Sequence, residues 1–144
     1  MIDQRITFLG AGNMANAIIR GLIRAGEKPS NITATVKREE KKAELEQTHG
    51  ISVGFDNVAA ARAADIVVLA VKPQAMDKLL TQIAPVIDAK KLVISVAAGV
   101  PIAAIERRFG GGARIVRSMP NTPALVGLGA TAVSGGEHAT PADL

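Results

Sequence analysis

Cysteine, tryptophan and tyrosine are absent from the 144 residues, and phenylalanine occurs only three times. Without cysteine there is no disulfide framework and no thiolate metal site, and nothing points to an oxidising compartment. So few aromatic rings argue against a stacking platform for single-stranded nucleic acid. No apolar run approaches the roughly 20 residues that span a bilayer, and no basic segment with an apolar core reads as a secretory signal. The net charge of +4 comes from scattered lysines and arginines, a poor match to a polyanion groove. The two histidines, His49 and His138, fall where loop or tail is expected, with neither metal-ligand nor triad spacing. No serine lies in a G-x-S-x-G elbow. The expectation is a cytoplasmic protein with no metal site, no nucleic-acid or membrane partner, and no recognisable general acid or base.

What the chain does contain suits one globular domain, with 48% hydrophobic and 21% charged residues. Short apolar runs alternate with amphipathic segments. Strands are predicted at Ile6 to Leu9, Ile32 to Val36, Ile51 to Val53, Ile66 to Val71, Leu92 onward, Arg114 to Arg117 and Thr131 to Ser134. Helices are predicted between them: Met14 to Ile23, stopped at Ala25-Gly26; Lys37 to Gln47, closed by Gly50; an alanine-rich helix capped by Asp56; Gln74 to Ile83; and Ile102 to Phe109. This alternation implies a doubly wound α/β fold around a mainly parallel Rossmann-type sheet. Ser118 to Gly129 reads as a loop. Thr140-Pro141-Ala142-Asp143 has a capping residue, a first-turn proline and an acid three residues after the cap. The domain is therefore expected to occupy residues 1–138, with 139–144 opening the first helix of a further helical domain.

Gly10-x-Gly12-x-x-Ala15 matches the G-x-G-x-x-G/A fingerprint between a strand and a helix. Gly10 permits a tight turn, Gly12 leaves room for a pyrophosphate, and Ala15 allows close helix–strand packing. The helix N-terminus offers free N–H groups and a partial positive charge. The competing reading is a tight structural turn. An NAD site usually has an acid at the end of the second strand, about 20 residues on. Here Thr35-Val36-Lys37-Arg38 holds two cations instead, which favours NADP(H), with NAD(H) possible. The same cations also suit an exposed helix start. Ala70-Val71-Lys72-Pro73 and Val96-Ala97-Ala98-Gly99 follow strands, where ligands of open α/β sheets bind. Lys72 suits phosphate, ribose or an anionic substrate, or simply a solvated helix start. Two prolines brace Ser118-Met119-Pro120-Asn121-Thr122-Pro123-Ala124, either around a site or as a rigid surface turn.

Together "FLGAGNMANAIIRGLI", "AVKPQ", "SVAAGV" and "RSMPNTPALVGLGAT" resemble the N-terminal domain of the pyrroline-5-carboxylate reductase family, along essentially the whole chain. The resemblance implies hydride transfer from NAD(P)H to the imine carbon of Δ1-pyrroline-5-carboxylate, giving L-proline in proline biosynthesis. It implies that Leu9, Gly10, Ala11, Gly12, Asn13 and Met14 wrap the pyrophosphate, that Thr35, Lys37 and Arg38 approach the adenosine ribose and its 2′-phosphate, and that Asn57 contacts the adenosine side. Ala70, Val71, Lys72 and Pro73, with Val96, Ala97 and Ala98, would line the remainder. Asn121, Thr122 and Pro123 would lie near the nicotinamide and substrate. The family's C-terminal all-helical domain, which makes homodimers and larger homo-oligomers and supplies much of the substrate pocket, is expected to be absent here. The catalytic residues are then expected outside this chain, leaving it inactive or weakly active alone. Two other readings are another NADP-dependent 6-phosphogluconate dehydrogenase-like or β-hydroxyacid dehydrogenase, and a non-catalytic NADP-binding module.

Overall fold

In the computed structural model, seven strands form one sheet in the order β3-β2-β1-β4-β5-β6-β7. It describes residues 4–88, 90–96, 101–109, 114–120 and 131–135, with 118–120 and 131–135 as backbone alone. The strands are β1 (Ile6–Leu9), β2 (Ile32–Thr35), β3 (Ser52–Gly54), β4 (Ile66–Leu69), β5 (Leu92–Ser95), β6 (Arg114–Pro120) and β7 (Thr131–Gly135). The helices are α1 (Asn13–Arg24), α2 (Glu39–His49), α3 (Asn57–Ala63), α4 (Pro73–Ile83) and α5 (Ile102–Arg108). Strands β1 to β6 are parallel, and β7 runs antiparallel to β6. This is the doubly wound sheet the sequence predicts.

Strands this apolar are stable only when both faces are covered, and the residues divide accordingly. Ile6, Phe8, Ile66 and Val68 join Ala15, Ile19 and Leu45 beneath α1 and α2. Leu9, Val67 and Leu69 point the other way, into a core with Ala61 of α3, Met76, Leu79, Leu80 and Ile83 of α4, and Ile105 of α5. Successive strand side chains alternate faces, so one continuous apolar run feeds two cores. Thr7 is polar yet fully buried in β1, and its hydroxyl accepts a hydrogen bond from that of Thr33 at 2.8 Å. In α4, Met76, Leu79, Leu80 and Ile83 recur at helical spacing and are all buried.

Local chemistry sets the element ends. Gly26 and Gly50 stand at φ +103° and +70° just after α1 and α2, which favours glycine. Asp56 caps α3, accepting from the N–H groups of Val58 at 3.0 Å and Ala59 at 3.1 Å.

Two expectations need correction. Ser118 to Pro120, read as the start of a loop, continue β6, because their backbone pairs with Thr131 to Val133 of β7. His49 is not in a loop. It is the last residue of α2, is buried, and its Nε2 shares a short hydrogen bond with Asn16 Oδ1 of α1. His138 and residues 139–144 lie outside the described residues.

Candidate functional site

Chain direction makes the site. From β1 the sheet extends through β2 and β3 on one side and through β4, β5 and β6 on the other. A crevice opens where the order reverses, at the carboxyl ends of β1 and β4, where open α/β sheets bind ligands. Residues 10–12 cross that crevice between β1 and α1.

The two fingerprint glycines differ physically. Gly10 has φ +77°, and a Cβ there would run into Val71 Cγ1, so the fold itself demands glycine. Gly12 is in extended backbone, φ −116° and ψ −155°, which any residue adopts, and a Cβ would meet nothing within 4 Å. Among the described residues no neighbour explains glycine at 12. It leaves open space directly before the N-terminus of α1. That helix has no side-chain cap and no acid in its first turn, so its free N–H groups and positive dipole end are available to an anion. Ala15 is fully buried, as close helix–strand packing requires.

Two loop amides are already engaged. The N–H of Ala11 donates to the Thr35 carbonyl at 2.9 Å, and that of Gly10 donates to the Thr35 hydroxyl at 3.1 Å. The amides left for phosphate are those from Gly12 onward. Leu9 is fully buried in the core, so it reaches the crevice through backbone alone; its carbonyl accepts from Ala70 N–H at 3.0 Å, tying β1 to the end of β4.

Beside the turn lies a cleft of about 360 Å³ lined by Gly10, Ala11, Val36, Lys37, Arg38, Lys41, Val71, Lys72, Gln74 and Ala75. Among the described residues its lining has four cationic side chains and no carboxylate, an arrangement suited to a polyphosphate. The structure thus brings together Gly10, Ala11, Lys37, Arg38, Val71 and Lys72 from separate stretches of chain. Lys72 precedes α4 as its N-cap, and Pro73 opens that helix. Val96 follows β5, its N–H bonded to the Leu69 carbonyl at 3.2 Å. Ala97, Ala98, Asn121, Thr122 and Pro123 lie outside the described residues, as does the side chain of Asn13; Met14 is half-buried in the first turn of α1.

Thr35 and Asn57 are not among the cleft's lining residues. Thr35 is 3% exposed, and its hydroxyl donates to Asn57 Oδ1 at 2.5 Å. Asn57 Nδ2 in turn donates to Gln82 Oε1 of α4 at 3.3 Å. The sequence reading missed Lys41, whose signal was its place four residues after Lys37, one helical turn away. It also missed Val36, Gln74 and Ala75, which carry no chemical signature.

A larger cleft, about 580 Å³, lies between α3 and strands β2 and β3. Alanines and strand hydroxyls line most of it, with the half-exposed Phe55 at its wall. Among the described residues it contains none of the fingerprint glycines and a single cation, Arg5, so the smaller cleft is the better candidate for a phosphate. Burial and the nearby Arg20 charge hold His49 below its usual pKa, and its ring serves the α1–α2 contact rather than the cleft. Among the described residues no cluster of His, Asp and Glu could hold a metal, and no helix is long and apolar enough to cross a membrane.

A Rossmann-type sheet with a glycine turn at its switch point, facing a cationic cleft, defines a dinucleotide-binding oxidoreductase domain. Residues 5–99 match the family described as NADP oxidoreductase coenzyme F420-dependent, and the chain belongs to that family. Among its relatives is pyrroline-5-carboxylate reductase of Methanosarcina acetivorans, 43% identical over all of this chain and 54% of the relative. The pyrroline-5-carboxylate reductase structure from Coxiella burnetii superposes with a TM-score of 0.93 at 39% identity, over 98% of this chain and 53% of that one. Plasmodium falciparum pyrroline carboxylate reductase, solved with NADP bound, gives 0.86 at 30% identity over 99% and 52%. The chain spans about half the length of the relatives it matches.

Proposed function

We propose that this chain is the cofactor-holding part of a pyrroline-5-carboxylate reductase and that the cleft at the switch point takes NADP(H), with NAD(H) as the weaker alternative. The observation that carries the proposal is Gly12: open space at an uncapped helix N-terminus, beside four cations, where packing of the described residues gives no reason for glycine. Such a place fits a pyrophosphate approaching the backbone. The reductases named above, one of them with NADP bound, support the choice of reaction and cofactor.

In this reading the amides from Gly12 to Met14 hold the pyrophosphate. Lys37 and Arg38, with Lys41 beside them, attract the 2′-phosphate that distinguishes NADP(H), because no acid at the end of β2 competes for a ribose hydroxyl. Lys72, Ala70, Val71, Pro73 and Val96 line the way toward the nicotinamide; the family resemblance assigns Ala97 and Ala98 to the same stretch and Asn121, Thr122 and Pro123 to the nicotinamide end. When bound, the reduced nicotinamide would supply a hydride to the imine carbon of Δ1-pyrroline-5-carboxylate while the imine nitrogen, carrying a proton, takes the C=N π electrons, giving L-proline. The chain's part is to fix that ring within reach of the imine carbon, and positioning of this kind removes much of a bimolecular barrier. The whole protein is read as a cytoplasmic enzyme of proline biosynthesis that works as a homodimer or larger homo-oligomer.

The test is NADPH oxidation by the full-length protein. Consumption is expected with Δ1-pyrroline-5-carboxylate. A folded full-length protein that consumes NADPH only with hydroxyacids, or with neither substrate, contradicts the proposal.

A further inference from the structure

The end of β2 holds a polar side chain whose placement the cofactor reading leaves unexplained. Thr35 is buried at 3% exposure, and both hydrogen-bonding roles of its hydroxyl are used within the fold. It accepts the Gly10 N–H at 3.1 Å and donates to Asn57 Oδ1 at 2.5 Å, while Asn57 Nδ2 donates to Gln82 Oε1 at 3.3 Å. The Thr35 carbonyl takes the neighbouring Ala11 N–H at 2.9 Å. One residue therefore anchors two consecutive amides of the glycine turn, and a side-chain chain running through α3 to α4 orients its hydroxyl. A hydroxyl so committed has little left for a ribose or a 2′-phosphate.

We propose that Thr35 is a positioning residue: its hydroxyl, held by Asn57, pins Gly10 to the end of β2 and so aims the Gly12–Met14 amides at the pyrophosphate, without touching the cofactor. This inference rests on the NADP(H) reading of the cleft. It differs in outcome from a ribose-end contact. The pyrophosphate is common to NADPH and NADH, so loss of the pin weakens both equally, whereas loss of a 2′-phosphate contact weakens NADPH alone.

Thr35→Val removes the hydroxyl at nearly constant shape. The experiment titrates this chain and the variant with NADPH and with NADH, and follows exchange of the Gly10 amide by NMR. The expected result is a loss of about tenfold for each cofactor with their ratio unchanged, since a buried amide is left without its acceptor. Exchange at Gly10 should accelerate while the Ala11 amide stays protected, and Thr35→Ser should restore both properties. Unchanged affinities, a loss confined to NADPH, or an unaltered Gly10 amide overturns the inference. If Thr35→Val does not fold, Asn57→Ala decides: faster Gly10 exchange with equal losses of about threefold supports the pin, and unchanged exchange refutes it. A wild-type chain that binds neither cofactor overturns the NADP(H) reading and this inference with it. Wild-type binding with an indifferent Thr35→Val removes the inference alone.

Discussion

Gly10 and Gly12 sit two residues apart in one fingerprint, yet each is glycine for its own reason. At 10 the positive φ and the closeness of Val71 leave no room for a side chain; at 12 the backbone is extended and no described residue crowds it. A tight structural turn explains the first, and no described neighbour supplies a reason for the second. In the proposed reading, cofactor choice also rests on single side chains. Lys37 and Arg38 stand where an NAD site would hold an acid, and Lys41 adds a third cation on the same wall. Reversing one charge should therefore discriminate between cofactors: Lys37→Glu is expected to weaken NADPH by about tenfold or more and NADH by less than about threefold, read by equilibrium titration. Equal losses would remove the 2′-phosphate argument.

Among the elements, the short α3 depends on its cap. Seven residues form a marginal helix, and Asp56 satisfies two of its first N–H groups. Asp56→Ala should cost about 1 kcal/mol in urea unfolding, with the slope unchanged. Helices α1 and α2 are joined through His49 and Asn16. Because burial and Arg20 hold the His49 pKa below 6.5, the unfolded chain takes up the proton more readily than the folded one. The contribution of His49 is thus complete above pH 6.5 and is lost as pH falls through the lowered folded pKa. Urea unfolding at pH 7.5 and pH 5.5 should show wild type less stable at the lower pH, with most of that difference gone in His49→Gln. An equal difference in both proteins would assign the pH dependence to other groups.

For the whole molecule, the local signals reported the architecture well. Alternating apolar runs and amphipathic segments gave the doubly wound sheet, and the cap at Asp56 and the stops at Gly26 and Gly50 bounded the helices close to where they end. What escaped depends on partners remote in sequence. Met119 and Pro120 are strand only because β7 pairs with them from more than ten residues away. His49 is buried because Asn16, 33 residues earlier, faces it. The family resemblance implies Thr35 at the ribose end, and no local pattern shows that its hydroxyl accepts the Gly10 N–H, 25 residues earlier. Lys41 reaches the cleft through the way α2 lies over the end of β2, which composition does not encode.

The central claim is that the turn from Gly10 to Met14 receives a dinucleotide pyrophosphate at the N-terminus of α1. Gly12→Asp tests it most directly. In extended backbone with open space beside it, aspartate fits without strain, and as an N-cap at the positive end of the dipole it should leave stability unchanged or raise it by a few tenths of a kcal/mol. The same carboxylate would occupy the amides meant for phosphate and repel its charge. Titrating the wild-type chain and the variant with NADPH should show binding to the first and a loss of at least about a hundredfold in the second, with thermal midpoints equal or higher in the variant. A variant that is as stable as wild type and binds NADPH equally well would contradict the account.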